Sequence, residues 1–278
     1  MSADFLSKDI IYVNSLNRIS GDSDDFVINL MDYVKFPNDY DTAALLAFSC
    51  PKSYYLINNN NNVFTVDEKN GNVFNITIEP GNYSFNTMSK TLEQLLNNSS
   101  TFTYSITPNN KTGKYLFTVT GNTIYQPSFI FNKNSPYEIL GFRLDTYNFS
   151  SNQLVTPDIV DFNLTNIIKL CCNFVDKNVL SIIIPNVADF SFINYNEQNP
   201  IYASHQLTIN NLGNARFWLL DSDDNPLDLN GKNIHFTFCI YKKNNYYDHM
   251  IKDKELENEI NRLSSMMKTP LVSSNLPF

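Results

Sequence analysis

Three histidines, four cysteines and one dense run of carboxylates are the residues of this 278-residue chain whose types could do chemistry. His205, His235 and His249 stand in no nucleophile or metal motif, and no G-x-S-x-G, H-E-x-x-H, P-loop or G-x-G-x-x-G occurs. His235 falls on the polar side of an alternating stretch, where a solvated or hydrogen-bonded imidazole is the simpler reading. Cys50, Cys171, Cys172 and Cys239 lack metal-ligand spacing. Three lie in strand-like apolar runs and Cys172 beside one, so reduced core thiols are expected, with the Cys171-Cys172 pair projecting to opposite faces. The carboxylates run Asp221-Ser222-Asp223-Asp224-Asn225-Pro226-Leu227-Asp228. This resembles an oxygen-rich calcium loop with Asp221, Asp223 and Asn225 as candidate metal ligands, but Pro226 stands where such a loop needs Gly and no Glu closes it. A turn rich in Asp, Asn and Pro between two strands fits better. No catalytic residue, no cofactor and no enzyme activity are expected.

Composition narrows the class. Aromatics reach 14%, with 21 Phe and 16 Tyr against 8 Gly, which suits a folded, strand-rich protein and excludes a disordered one. Asn occurs 42 times, as in an AT-rich coding sequence. The net charge of −8 and pI near 4.8, with no Lys/Arg run, argue against direct nucleic-acid binding. No apolar run is long enough to span a membrane, and MSADFLSKDI does not read as a signal peptide. The sequons at Asn75, Asn97 and Asn148 are then chance matches.

The elements that must position these residues are mostly strands: Asp25–Leu30, Thr42–Cys50, Ile167–Phe174, Leu180–Pro185, Gln206–Asn210, Arg216–Leu220 and Ile234–Tyr241. In the last, Ile234, Phe236, Phe238 and Ile240 alternate with His235, Thr237, Cys239 and Tyr241, giving one buried and one wetter face. Short strands separated by turn signals indicate a sandwich or barrel, with no βαβ alternation. The stretch Asn58 to Asn62 reads as a corner, because strand signals resume at once in VFTVDEKNGNVFNITI. A three-residue Lys69-Asn70-Gly71 loop there pairs Val66 with Phe74 and Phe64 with Ile76, keeping one apolar face together. Then Ser84 caps a helix with Phe85, Met88, Leu92 and Leu95 on one face. A hairpin follows in which Phe102, Tyr104 and Ile106 face Val119, Phe117 and Tyr115.

Ordered together, IYVNSLNR, D-x-F-x-I-x-L, CPKSYYLINNNNNVF, G-N-Y-S-x(7)-L-x-x-L-L, SPYEILGF and WLLDSDDNPLDLNGKNIHFTFCIYK resemble the minor capsid (penton) proteins of virophages and related polinton-like elements, the mavirus-like group above all. The similarity covers residues 9 to 242. With the strand reading above, it implies a mainly β chain: a single jelly-roll β-sandwich over 1–79 and 146–245 with an inserted small α+β domain over 80–145; outside the likeness, residues 246–278 read as a C-terminal helical tail. It also implies a homopentamer at the icosahedral vertex of the virion, assembled inside the infected cell. The implied partners are the major capsid protein and, through the inserted domain, a host receptor. In the tail, Leu256, Ile260, Leu263 and Met267 form one stripe of a charged helix, either a solvated terminal helix or an assembly arm. Two other readings stand beside this one: a different minor capsid or cement protein, and a glycan-binding attachment sandwich.

Overall fold

The computed structural model describes residues 5–34, 40–121, 124–163, 167–208 and 212–243. The expected tail over 246–278, with Leu256, Ile260, Leu263 and Met267, lies outside them, as does His249. In chain order the strands are β1 (Phe5–Asn14), β2 (Ser20–Gly21), β3 (Asp25–Ile28), β4 (Thr42–Pro51), β5 (Val63–Asp67) and β6 (Val73–Thr77). Helix α1 (Phe85–Ser99) precedes β7 (Thr103–Asn109), β8 (Lys114–Thr120), β9 (Ser128–Ile130), β10 (Thr146–Asn148) and β11 (Gln153–Val155). Then come β12 (Ile168–Cys172), β13 (Val179–Ile183), β14 (Phe192–Asn196), β15 (His205–Gln206), β16 (Ala215–Leu220) and β17 (His235–Lys243).

The chain is mainly β, with two sheets facing each other over one core. One sheet runs β1-β17-β4-β14, with β15 also paired to β4; the other runs β13-β12-β16-β3-β2. The strand pattern of β17 explains the first sheet. Phe236 stands opposite Val13 and Phe48, Phe238 opposite Ile11 and Leu45, and all are buried. Phe217 of the second sheet meets Phe236 at 4.9 Å and Phe238 at 5.8 Å between ring centroids. Each such ring contributes about 1.5–3 kcal/mol by leaving water. The opposite face of β17 is wet only at one end. His235 is exposed, but Cys239 and Tyr241 are buried with Ala44 in a small cluster of their own. The expected wetter face therefore holds for about half the strand.

A second core gathers residues 57 to 149 around α1, the sheet β10-β9-β5-β6 and the sheet β11-β8-β7. Its boundaries differ from those expected. Phe64, Val66, Ile76 and Ile78 pack here rather than in the sandwich, and Leu154, Val160 and Phe162 pack against the same core. The 63–77 hairpin thus belongs with α1, and the chain changes cores between Tyr54 and Ile57, not near residue 80. The physical cause is the asparagine corner. Asn58 N–H donates to Asn61 Oδ1 (2.7 Å), Asn61 Nδ2 to the Leu56 carbonyl (3.0 Å) and Asn62 Nδ2 to the Ile78 carbonyl (2.9 Å). Asn82 clamps the same crossing, accepting from Leu56 N–H (2.8 Å) and donating to the Tyr54 carbonyl (3.1 Å). Carboxamides here replace the ladder bonds that a turning backbone loses.

The β5–β6 register is the expected one, with Val66 opposite Phe74, Phe64 opposite Ile76 and Gly71 at φ +96°. Ser84 caps α1 and forms a capping box with Thr87. Leu96, not Leu95, joins Met88 and Leu92 as fully buried. The β7–β8 pairing lies two residues from the expected register: Tyr104 stands opposite Val119 and Ile106 opposite Phe117. The same faces meet, but Asn109 closes a short turn by accepting from the N–H groups of Lys111 and Thr112, which pulls Pro108 opposite Tyr115. In the SPYEILGF turn, a Cβ on Gly141 (φ +76°) would lie 2.6 Å from the Asp158 carbonyl oxygen, so only glycine fits.

One buried carboxylate ties hairpin to helix. Glu68 has no exposed surface and accepts from the hydroxyl of Ser100, the residue that follows α1. It also accepts from Thr101 N–H (3.2 Å), Thr101 Oγ1 (2.6 Å) and Asn72 Nδ2 (2.9 Å). Burial alone would push its pKa up, but these donors outweigh it and hold the carboxyl below its ordinary value. Glu68→Gln turns an acceptor toward donors and should cost about 1–3 kcal/mol. In the parent chain this contribution is complete above the ordinary value of 4.5 and is lost as pH falls through the lower folded pKa. Urea titrations should therefore show parent and Gln variant converging in acid; a constant gap would refute the account. Gly71→Val places a β-branched residue at positive φ with no steric contact nearby, and should lower stability by about 1–2 kcal/mol through conformation alone.

Candidate functional site

Where the two cores adjoin, a cleft of about 440 Å³ opens to solvent. Its walls are the asparagine corner, the segment from Ser135 to Ile139, and the turn from Asp221 to Asn230. That turn is built from its own first residue. Asp221 Oδ1 accepts from Asp223 N–H (2.8 Å) and Asn225 N–H (2.9 Å), while Asn225 Nδ2 donates to Asp221 Oδ2 (3.2 Å). Asp224 takes a left-handed conformation (φ 64°) and receives Lys169 Nζ at 2.6 Å. Farther along, Asp24 accepts from Leu229 N–H (2.7 Å), and Asn230 Nδ2 donates to the Ser53 carbonyl (2.6 Å). Burial raises the Asp24 carboxyl above its ordinary value, and the nearby Asp228 charge adds to this.

The candidate ligands Asp221, Asp223 and Asn225 are therefore neighbours, but Asp221 is already filled by N–H donors and Asn225 presents its nitrogen to it. Among the described residues no group of three or more His, Cys, Asp or Glu is placed to hold a metal ion. What the cleft offers is a set of amide and carboxylate groups with Tyr55 and Tyr137 beside them. Such groups can hydrogen-bond and stack on a polar ligand.

The remaining sequence candidates are scattered. His205 Nδ1 lies 3.6 Å from Asp176 Oδ1 at the sandwich edge, and His235 faces solvent on the outer side of β17. The thiols are buried and unpaired with one another. Burial pushes Cys50 and Cys172 up to about 12 and Cys171 to about 11, and raises Cys239 as well. Cys171 and Cys172 do point to opposite sides: Cys172 belongs to the sandwich core and Cys171 does not. A thiol held protonated is a poor nucleophile.

Sequence reasoning missed the large apolar side chains left exposed on the sandwich, among them Tyr12, Ile19, Ile184 and Phe190. The signal existed. Ile10 to Val13 in β1 and Ile182 to Ile184 at the end of β13 are unbroken apolar runs at sheet edges, where one covered face would give alternation.

No family model matches the chain, and no curated protein matches it. Among solved structures, the crystal structure of the mavirus penton protein is similar with a TM-score of 0.46 and 11% identity, covering 84% of this chain and 99% of that chain. A likeness this distant fixes neither activity nor partners.

Because every thiol is buried and protonated, iodoacetamide at pH 8 should modify none of the four cysteines in the native chain and all four in denaturant, read by intact mass. Rapid native labelling at Cys171 or Cys172 would contradict the assignment.

Proposed function

We propose that this chain is a non-enzymatic capsid protein that closes the five-fold vertex of an icosahedral virus particle as a homopentamer in contact with the major capsid protein. The observation that carries the reading is the apolar surface on a sandwich whose own core is already filled. Soluble monomers rarely leave such side chains grouped in water, and where they do a protein partner covers them. The ordered segments resembling the penton family point the same way.

The jelly-roll form of the sandwich is supported by its strand order. With β1, β3, β4, β12, β13, β14, β16 and β17 counted one to eight, the sheets run 1-8-3-6 and 5-4-7-2. That is the order of two interlocked Greek keys. The second unit is then an insertion between the third and fourth strands, free to face outward and meet a receptor. The cleft where the two cores adjoin supports a second reading, an attachment site for a neutral polar ligand such as a glycan, because Tyr55 and Tyr137 supply ring faces next to amides and carboxylates. The stripe Leu256, Ile260, Leu263 and Met267 acts in this reading as an arm on a neighbouring capsid subunit.

Particle reconstruction should place the chain at five-fold vertices, and the purified chain should sediment as a pentamer. A monomer or trimer would favour a cement protein instead. A chain lacking 246–278 should melt like the full chain yet fail to enter particles; a truncated chain that does not fold would return the segment to the core.

A further inference from the structure

Among the exposed apolar side chains, which also include Met31, Tyr33 and Tyr202, two groups stand on opposite rims of the sandwich. β1 is an edge of one sheet and β2 an edge of the other, joined through Ser15–Asn17. Along this rim Ile10, Tyr12 (72% exposed), Leu16 and Ile19 (63%) face water. β14 and β13 are the opposite edges of the same two sheets. Along that rim stand Ile182, Ile184 (71%), Phe190 (68%) and Phe192. Three strand spacings, about 14 Å, separate β1 from β14 across the sheet.

Phe190 is the most telling of these. Its backbone is left-handed at φ +63°, a conformation that disfavours a bulky L side chain and suits Gly or Asn. It is fixed there by Phe190 N–H donating to the Lys52 carbonyl (2.9 Å). An aromatic ring in that conformation, pointing to solvent, gains nothing from its own fold. Charge, the ordinary protection of an edge, stands beside these side chains (Lys8 and Asp9 in β1, Arg18 next to Ile19, Asp189 next to Phe190) but does not replace them.

We infer that the β1–β2 rim of one copy docks on the β13–β14 rim of the next, a head-to-tail contact between copies of this chain; the inference rests on the ring reading above and names its interface. A rim pairing with itself would make two-fold dimers and leave the other rim wet. Pairing unlike rims covers both on every copy, and only a closed ring does so without loose ends. The size agrees. With large side chains offering roughly 150–250 Å² each, a rim exposes on the order of 400–500 Å² of apolar surface. A stable contact needs about 800 Å² per partner, of which about 56–58% is apolar.

The test uses the full chain in sedimentation velocity. Tyr12→Glu blocks one rim and Phe190→Asn the other. Both should melt no lower than the parent, since neither ring packs inside and Asn accepts the backbone conformation at 190. Each should weaken self-association about a hundredfold and sediment as a monomer. Mixed together they should form a one-to-one dimer that cannot close, because one intact rim of each kind remains. Tyr12→Ser and Phe192→Ser repeat the experiment without added charge if Tyr12→Glu misfolds. Parent-like assembly by either blocked chain, or two monomers that ignore each other, overturns the rim pairing while leaving the ring reading intact. A parent chain that never leaves the monomer overturns that reading and the pairing with it.

Discussion

The structure depends on β17 lying hydrogen-bonded between β1 and β4, with its Ile234, Phe236, Phe238 and Ile240 face turned onto the second sheet. This joins the ends of the described chain. Ser15 N–H donates to the Ile234 carbonyl (3.1 Å), and the Ser15 hydroxyl reaches Asn233 across 218 positions. Until β17 arrives, the inward faces of β1 and β4 have no common partner. Such pairing must overcome a large loop-closure entropy before it is rewarded. The second core has no such debt. Its helix and hairpins close within residues 57 to 162, and Glu68 locks them by short-range bonds. The local unit can therefore order first, shortening the loop that the sandwich has to close.

What could be read from the sequence divides along the same line. The Lys69-Asn70-Gly71 loop, the Ser84 cap and the alternation of β17 were legible because each is decided by residues a few positions apart. The β7–β8 register was not, because it turns on which of several polar residues closes the loop, and Asn109 does so one pair later than the apolar pattern suggests. The boundary near residue 80 failed for a different reason. Phe64, Val66 and Ile76 announce an apolar face, but no pattern within a strand says which of two cores that face will meet. Burial of Cys239 and Tyr241 on the supposedly wet face is likewise decided by tertiary neighbours. For the site, the Asp221 turn was legible from its Asp, Asn and Pro content. The rims were visible only as unbroken apolar runs, which a sequence cannot separate from a buried central strand.

The corners show where the many asparagines go. Asn58, Asn61, Asn62 and Asn82 each bind backbone groups that leave the ladder where the chain passes between cores. The polar cleft lies beside this joint, and the exposed apolar rims lie away from its lining.

Stiffness matters to how such surfaces bind. Association must offset lost translational and rotational freedom, plus roughly 0.5–1.5 kcal/mol for each flexible side chain it immobilises. Tyr12 stands on a strand laddered to β17 opposite Thr237, and Phe190 sits between two backbone bonds, its own to Lys52 and that of Lys52 N–H to Ser191 (2.8 Å). Rings have few rotatable bonds and these backbones are already fixed, so little ordering remains to be done on contact. In the proposed ring the same fixity would set the angle at which neighbours meet, and a wedge with two unlike rims would close at the copy number that angle allows.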